Sequence, residues 1–239
     1  MSIRKKILAI SIGPVLVLGV ITLLFMLTMV KSSLMDEVQD ALKGTAAATL
    51  AAYDQNTGDY LESTNGDIWK GSYNISKSES LVDRIKENTG MDVTFFYGNK
   101  RIMTSALDKK GNRILGSEAG ERVVNQVIKG KKPFFSTNVS LDGTRNYGYF
   151  IPVYQNGTTD QVIGMVFVGT NKARKDAIVN KILGSIMMAL LVVMLLCIVT
   201  AMRMAASISK NIKNSVAVVG KLADGDLNVW VDEKLLKRK

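Results

Sequence analysis

The sequence predicts an α+β fold, in which a long helix precedes a five-stranded antiparallel sheet and a membrane-spanning helix lies on either side. Two runs of residues, 7–30 and 182–202, contain no charged side chain over 24 and 21 positions, and each is long enough to cross a bilayer as a helix. Between these runs, apolar residues first recur at helical spacing and then form extended, β-branched stretches separated by Gly and Asn turns. Helices followed by paired strands in this order are typical of an α+β domain.

The composition of the 239 residues excludes several kinds of chemistry. There is no His, which excludes catalytic triads and metal sites that depend on an imidazole. The single Cys, Cys197, excludes an intrachain disulfide and a zinc site built from several thiolates. We expect Cys197 to be an inert thiol within its apolar run. We therefore predict no catalytic residue, no metal site and no cofactor.

The net charge of +10 does not indicate a nucleic-acid partner. Residues 31–181 carry 20 basic and 17 acidic side chains, so most of the excess positive charge lies beside the two apolar runs. Basic residues 4–6 precede the first run, and Arg203 and Lys210 follow the second. The positive-inside rule then places both termini in the cytoplasm. The predicted topology is that residues 1–6 and 203–239 lie inside, 7–30 and 182–202 span the membrane, and 31–181 lie outside.

A cleaved signal peptide is the alternative interpretation of the first apolar run. Signal peptides have an apolar core of about 7–15 residues that ends at a small-residue cleavage site. The run here is longer, and no pattern of small residues follows Val30. These two features favour an uncleaved membrane-spanning helix.

The first part of the predicted external domain is helical. From residue 31 to about residue 61, apolar side chains recur at intervals of three and four, which predicts one long helix. Residues 68–75 follow an Asn-Gly-Asp turn and are expected to form a loop. Ser78 can begin a short helix over residues 80–87, and Gly90 can end it.

After this short helix the spacing of apolar residues becomes that of strands. β-Branched and aromatic residues alternate through five stretches, and Asp-Gly and Asn-Gly pairs provide hairpin turns between the last three. One helix, over residues 120–129, interrupts the series, and another over residues 173–181 leads into the second apolar run. The predicted strands are residues 92–97, 101–105, 133–141, 145–154 and 161–170.

Aromatic and basic side chains are the candidates for a ligand pocket. Alternation along a strand places Tyr147, Tyr149 and Ile151 on one face and Gly148 and Phe150 on the other. Arginine side chains suit a carboxylate or phosphate group, so the expected ligand is a small anionic molecule. The alternative is that the tyrosines belong to the core and the arginines are solvated. The candidate ligand-binding residues are Trp69, Tyr73, Arg101, Thr104, Arg145, Tyr147 and Tyr149.

The stretch between the two apolar runs resembles the extracellular single Cache domain of bacterial chemoreceptors. The resemblance lies in four segments and covers about residues 31–175. It implies a PAS-like sheet preceded by a long helix, which binds a small molecule outside a bacterial cell. The segments are residues 81–86 (LVDRIK), 90–98 (GMDVTFFYG), 101–105 (RIMTS) and 164–169 (GMVFVG).

The residues that follow the second run resemble the first helix of a HAMP linker. An apolar stripe is followed by Gly225 and then by spaced apolar residues, and Asn211 stands where that family usually has a proline. The resemblance implies a homodimer, and we expect residues 203–239 to be a partial linker to an output domain outside this sequence. The stripe consists of Ile208, Ile212, Val216, Val219 and Leu222.

The function that these features favour is the input part of a methyl-accepting chemotaxis receptor. It would sense a small extracellular molecule and contact cytoplasmic signalling proteins only through the output domain. Three alternatives remain. The same input could serve a histidine kinase or a cyclic-dinucleotide enzyme. A membrane-tethered hydrolase lacks a recognisable nucleophile and base. A non-signalling structural membrane protein would leave the HAMP-like stripe unexplained.

Overall fold

The computed structural model describes residues 3–224, which divide into two compact units. One unit is Val30–Lys181, and the other consists of the described residues within Met1–Met29 and Ile182–Lys239. Helix α1 (Ile3–Asp54) begins the chain, and helix α4 (Lys172–Ala223) ends the described part. The second half of the HAMP-like segment, residues 225–239, lies outside the described residues.

Helices α1 and α4 both contain stretches that are long and apolar enough to cross a membrane. Their apolar side chains lie exposed, with Ile10 75% and Leu196 62% accessible, as expected of a surface that faces lipid. Helix α1 ends seven residues before the predicted position, so the prediction of a helix to residue 61 was wrong at its end. The side chain and backbone amides of Asn56 both donate to the carbonyl of Tyr53, which terminates the last turn.

A small antiparallel sheet occupies the segment that was predicted to be a loop. Strands β1 (Tyr60–Glu62), β2 (Ile68–Lys70) and β3 (Tyr73–Asn74) are adjacent in that order. Gly66 and Gly71 adopt positive φ at the two turns. Strands of two or three residues are too short for alternation to be visible in a sequence, which is why the loop prediction was wrong.

The main sheet has five antiparallel strands, which confirms the predicted fold class. Spatial order differs from chain order, because β8 inserts between β4 and β7, giving β5-β4-β8-β7-β6. The β6–β7 turn has φ of +46° at Asp142 and +76° at Gly143, as a tight hairpin requires. The strands are β4 (Asp92–Tyr97), β5 (Lys100–Thr104), β6 (Phe134–Leu141), β7 (Thr144–Tyr154) and β8 (Val162–Asn171).

Two shorter helices accompany the main sheet. Helix α2 (Glu79–Thr89) is followed by Gly90 in the left-handed conformation, as predicted. Helix α3 (Glu121–Val123) occupies the start of the other predicted helix but widens into a π-helical turn over Val124–Lys129. The amide of Gly130 donates to the carbonyl of Asn125, five residues earlier, which is the hydrogen-bond spacing of a π-helix.

The sheet separates two hydrophobic cores, because successive residues of a strand point to opposite faces. Residues of α1, α2 and the small sheet pack on what we call the helix face. Residues of the β5–α3 loop and of the π-helical turn pack on what we call the loop face. The helix-face core includes Tyr53, Val82, Val93, Phe95, Tyr147, Tyr149, Val166 and Val168. The loop-face core includes Phe96, Ala106, Val127, Leu141, Phe150, Met165 and Phe167.

Candidate ligand-binding site

A pair of glycines shapes the loop face at the centre of the sheet. Gly148 of β7 and Gly169 of β8 are directly opposite each other, and neither presents a side chain. The ring of Phe167 occupies the space that side chains would fill. A Cβ at Gly148 would lie 2.5 Å from that ring and 2.8 Å from the side chain of Val139. The glycine pair therefore allows an aromatic ring to lie flat on the sheet.

A cavity of about 530 Å³ lies on the loop face next to this ring. Its volume is within the range of pockets that hold small molecules. Phe150 and Phe167, whose ring centroids are 4.7 Å apart, contribute an aromatic floor. The walls come from the edge strand β6 and from the start of α3. The lining includes Phe96, Arg101, Glu118, Ala119, Arg122, Val123, Phe134, Asn138, Val139, Phe150 and Phe167.

Arg101 is the buried charge of this cavity. Its side chain is on β5, only 8% of the residue is exposed, and its guanidinium lies 5.4 Å from the centre of the Phe96 ring. Nη1 donates to the carbonyl of Ile114 at 3.3 Å, but Nε is buried and finds no hydrogen-bond partner among residues 3–224. Burial lowers the pKa of Arg101, and the nearby charge of Asp92 partly opposes this shift. The group still carries its charge near neutral pH, so an anion would find a partly unsatisfied cation.

The backbone around Arg101 fixes the position of this cation. The pairing of β4 with β5 shifts between Phe95 and Phe96, so Phe96 is opposite Arg101. Residues beyond the strand then return to pair with it: the amide of Arg101 donates to Ser117, and the amide of Gly116 donates to Arg101. An arginine on a strand bounded by hydrogen bonds on both sides is held more precisely than one on a free loop.

The rim of the cavity carries charges of both signs. The guanidinium of Arg122 lies 5.3 Å from the centre of the Phe134 ring, and Glu118 lies nearby in the lining. Strand β6 is irregular here, because its pairing with β7 shifts between Ser136 and Val139. This irregularity leaves polar residues such as Asn138 at the rim, where they can contact a ligand.

The residues that the sequence grouped into one pocket lie in different places. Arg101 lines the loop-face cavity. Thr104 shares its face, but the Thr104 hydroxyl is within hydrogen-bond distance of the Thr94 hydroxyl and the Val93 carbonyl. The other five lie elsewhere: Tyr147 and Tyr149 are in the helix-face core, Trp69 and Tyr73 are in the small sheet, and Arg145 is exposed.

Apart from Arg101, the sequence prediction missed the residues that line the cavity, among them Arg122, Phe134 and Phe150. Strand alternation did place Phe150 opposite the tyrosines, and this was the available signal for it. Nothing local in the sequence indicates that Arg122 of α3 and Phe134 of an edge strand lie together, since their contact depends on how α3 packs on the sheet.

Tyr147 connects the sheet to helix α4. Its hydroxyl donates to Oδ1 of Asp176 at 2.5 Å, and its ring stacks on Phe135. Nζ of Lys172 lies 5.1 Å from the centre of the same ring. Strand β7 therefore contacts α4 through Tyr147 on one face of the sheet and lines the cavity through Phe150 on the other.

One protein-family model matches part of the chain. Residues 73–182 match the family model described as single cache domain 3. The domain has the Cache fold. This confirms the fold that the sequence resemblance implied. Among residues 3–224, no group of three or more Cys, Asp and Glu side chains lies close enough together to hold a metal ion.

Two solved structures are similar to about two thirds of this chain. One is an extracellular ligand binding receptor from Desulfohalobium retbaense DSM5692, with 15% identity, a TM-score of 0.44, and coverage of 63% of this chain and 26% of that one. This chain thus spans about a quarter of that receptor. The other is the DcuS sensor domain of E. coli, with 13% identity, a TM-score of 0.37, and coverage of 64% and 98%. Among curated proteins, none matches the chain significantly.

The contact between Tyr147 and Asp176 predicts a specific dependence of stability on pH. Burial, the hydrogen bond to Asp176 and the carboxylate charge raise the pKa of Tyr147 to about 12, whereas tyrosine in an unfolded chain ionises near pH 10, at roughly its unperturbed pKa. The stabilisation is therefore fully present below pH ~10 and is lost as the pH rises towards 12. Tyr147→Phe should therefore lose less stability than the wild type between pH 10 and 12.

Urea denaturation of the detergent-solubilised chain between pH 8 and 12 measures this difference. Tyr154→Phe is the matched control, because the Tyr154 hydroxyl donates to the carbonyl of Lys131 and not to a carboxylate. Parallel pH profiles for wild type and Tyr147→Phe would contradict the assignment.

Proposed function

We propose that this chain is the input part of a bacterial transmembrane chemoreceptor, in which the Cache domain binds a small anionic molecule outside the cell. The observation that carries the proposal is the buried guanidinium of Arg101, which lines a cavity of about 530 Å³ and whose Nε has no hydrogen-bond partner in the described part of the chain. In this proposal the chain is a receptor and not an enzyme. Of the residues proposed from the sequence as ligand-binding, only Arg101 is retained.

The cavity suits a ligand with one anionic group and an apolar or planar body. A carboxylate or phosphate can accept the free donors of Arg101, and Arg122 provides a second cation at the rim. The uncharged body of the ligand would lie on the rings of Phe150 and Phe167, where apolar contact would add to the affinity. Glu118 at the rim would disfavour a second anionic group on that side.

Replacing Arg101 tests this ligand site. The probes are a panel of small carboxylates and organic phosphates, screened for those that raise the melting temperature of the solubilised chain. Arg101→Gln should weaken such a probe by about tenfold or more, because a charge-assisted hydrogen bond is lost. Arg145→Gln removes the same charge from an exposed position on β7 and should leave the affinity unchanged.

If Arg145→Gln weakened probe binding and Arg101→Gln did not, this result would contradict the proposed ligand site at Arg101. Circular dichroism of Arg101→Gln should show a folded domain, since the substitution removes a buried charge whose Nε has no partner within residues 3–224.

We further propose that the chain crosses the cytoplasmic membrane twice, with both termini inside. The support is the exposure of the apolar side chains of α1 and α4 and the excess of basic residues at the two ends of the sequence. Residues 31–181 would then face the outside of the cell.

Cysteine labelling tests this topology in a Cys197→Ala background. Lys109→Cys should react with a membrane-impermeant maleimide on intact cells, whereas Lys210→Cys should react only after permeabilisation. Both positions are exposed in the described structure, so accessibility within the protein does not bias the result. Reaction of Lys210→Cys alone on intact cells would reverse the proposed orientation.

The signal would pass from the sheet into α4. Strand β8 ends at Asn171 and α4 begins at Lys172, so no linker separates the cavity-bordering strand from the helix. Asp176 of α4 is also bonded to Tyr147 of β7. A movement of the sheet on ligand binding would therefore displace α4, then a HAMP-like segment and a methyl-accepting output domain, in a homodimer.

A glycine insertion tests this transmission. Two glycines placed between Asn171 and Lys172, in a chimera with an output domain of known activity, should abolish the response to a ligand without changing its affinity. A ligand that prefers one state tenfold biases the equilibrium by about 1.4 kcal/mol, which a flexible joint would dissipate. Two serines inserted between Gly157 and Thr158, in the β7–β8 loop, are the control. A normal response after the glycine insertion would contradict direct transmission.

A further inference from the structure

A second cavity, of about 390 Å³, lies within the Val30–Lys181 unit on the helix face of the sheet. It is formed by the part of α1 that follows the first apolar run, by the first turns of α4 and by Tyr147. It shares only Thr137 with the lining of the ligand cavity. The lining consists of Lys31, Leu34, Met35, Val38, Thr137, Tyr147, Lys172, Lys175, Asp176, Val179 and Asn180.

The charge of this second cavity is strongly unbalanced. Three lysines and one carboxylate line it, and the carboxylate of Asp176 already accepts the Tyr147 hydroxyl. The ammonium group of Lys172 donates to the Thr137 carbonyl at 3.1 Å. For Lys31 and Lys175, no ion pair or hydrogen bond of the ammonium group is found within the described range 3–224. Lysines that converge without anionic partners favour binding of an anion.

The start of α4 adds to this positive potential. The first turn of the helix contains no acidic residue. It contains two lysines, Lys172 and Lys175. A helix N-terminus carries a partial positive charge, so cations there are unfavourable and an anion is stabilised. The cavity therefore lies beside the positive end of this helix.

Apolar side chains also line the cavity, and they indicate which kind of anion would fit. Leu34, Met35, Val38 and Val179 lie beside the lysines. In the sequence, Lys31 directly follows the first apolar run, and Lys181 directly precedes the second. A molecule with a phosphate next to hydrocarbon would satisfy both parts of this lining, and lysine is a common ligand of phosphate groups.

We infer that this cavity binds a phosphate group, carried by the headgroup of an anionic phospholipid. The inference goes beyond the proposed ligand site, because it uses a different face of the sheet and needs no extracellular signal molecule. The part of the inference that names a lipid as the source of the phosphate rests on the proposed membrane attachment, whereas the binding of phosphate does not. Inorganic phosphate is the other source of the same chemistry, and the experiment separates the two.

The test uses the full chain in nanodiscs that contain phosphatidylglycerol and phosphatidylcholine, with retained lipid measured by native mass spectrometry. Lys31→Gln/Lys175→Gln removes two cavity charges that make no other hydrogen bond among the described residues. It should reduce the preference for phosphatidylglycerol by about fivefold or more. Lys109→Gln/Lys110→Gln makes the same charge change at exposed positions of the β5–α3 loop and should leave the preference unchanged.

A second arm measures the melting temperature in lipid-free detergent with phosphate or with chloride at equal ionic strength. Stabilisation by phosphate that the Lys31→Gln/Lys175→Gln variant loses supports the cavity and identifies soluble phosphate as a source. Equal behaviour of wild type and both variants in both arms overturns the inference. A chain that fails to enter nanodiscs contradicts the membrane attachment of the proposed function, while the detergent arm still tests the cavity.

Discussion

The ring of Phe167, lying across the opposed glycines Gly148 and Gly169, is the contact on which the rest of the Cache-fold domain depends. The ring fills the centre of the loop face, where neither glycine has a side chain that would clash with it. A flat aromatic floor results, and the space above it stays open. With any larger residue at Gly148, the ring would have to move, and the strands beneath it would lose their close packing.

In this arrangement the two central strands, β7 and β8, contribute side chains to both hydrophobic cores. Phe167 and Met165 pack on the loop face, while Val166 and Val168 pack on the helix face. Because both faces of β8 are buried, the strand cannot shift its register by one residue without exchanging the two cores. The sheet is thus a rigid partition between a cavity on one face and the contacts of α1 and α4 on the other.

The sequence predicted the features that depend on neighbouring residues. Alternation located both ends of all five strands to within one residue, and glycine and asparagine located their turns. It could not predict the small sheet, whose strands are too short to show a pattern. It also grouped Arg101 with Tyr147, although pairing across the sheet places them on opposite faces.

The reason for that grouping lies in the irregular pairing of β4 with β5. Arg101 is opposite Phe96, and Thr104 is opposite Thr94, because the register shifts between Phe95 and Phe96. A single bulge of this kind changes which side chains share a face, and it has no signature in the residues themselves. The burial of Arg101 likewise depends on residues 114–118, which return to the strand from a distant part of the loop.

The glycine pair also has an evolutionary consequence. A side chain at Gly148 would displace the Phe167 ring, whereas Asn138 of the edge strand β6 and Glu118 before α3 are exposed at the rim of the cavity. We therefore expect substitutions to be tolerated at these rim positions and not at the glycine pair. Variation at the rim could change which ligands the cavity accepts without loss of the fold.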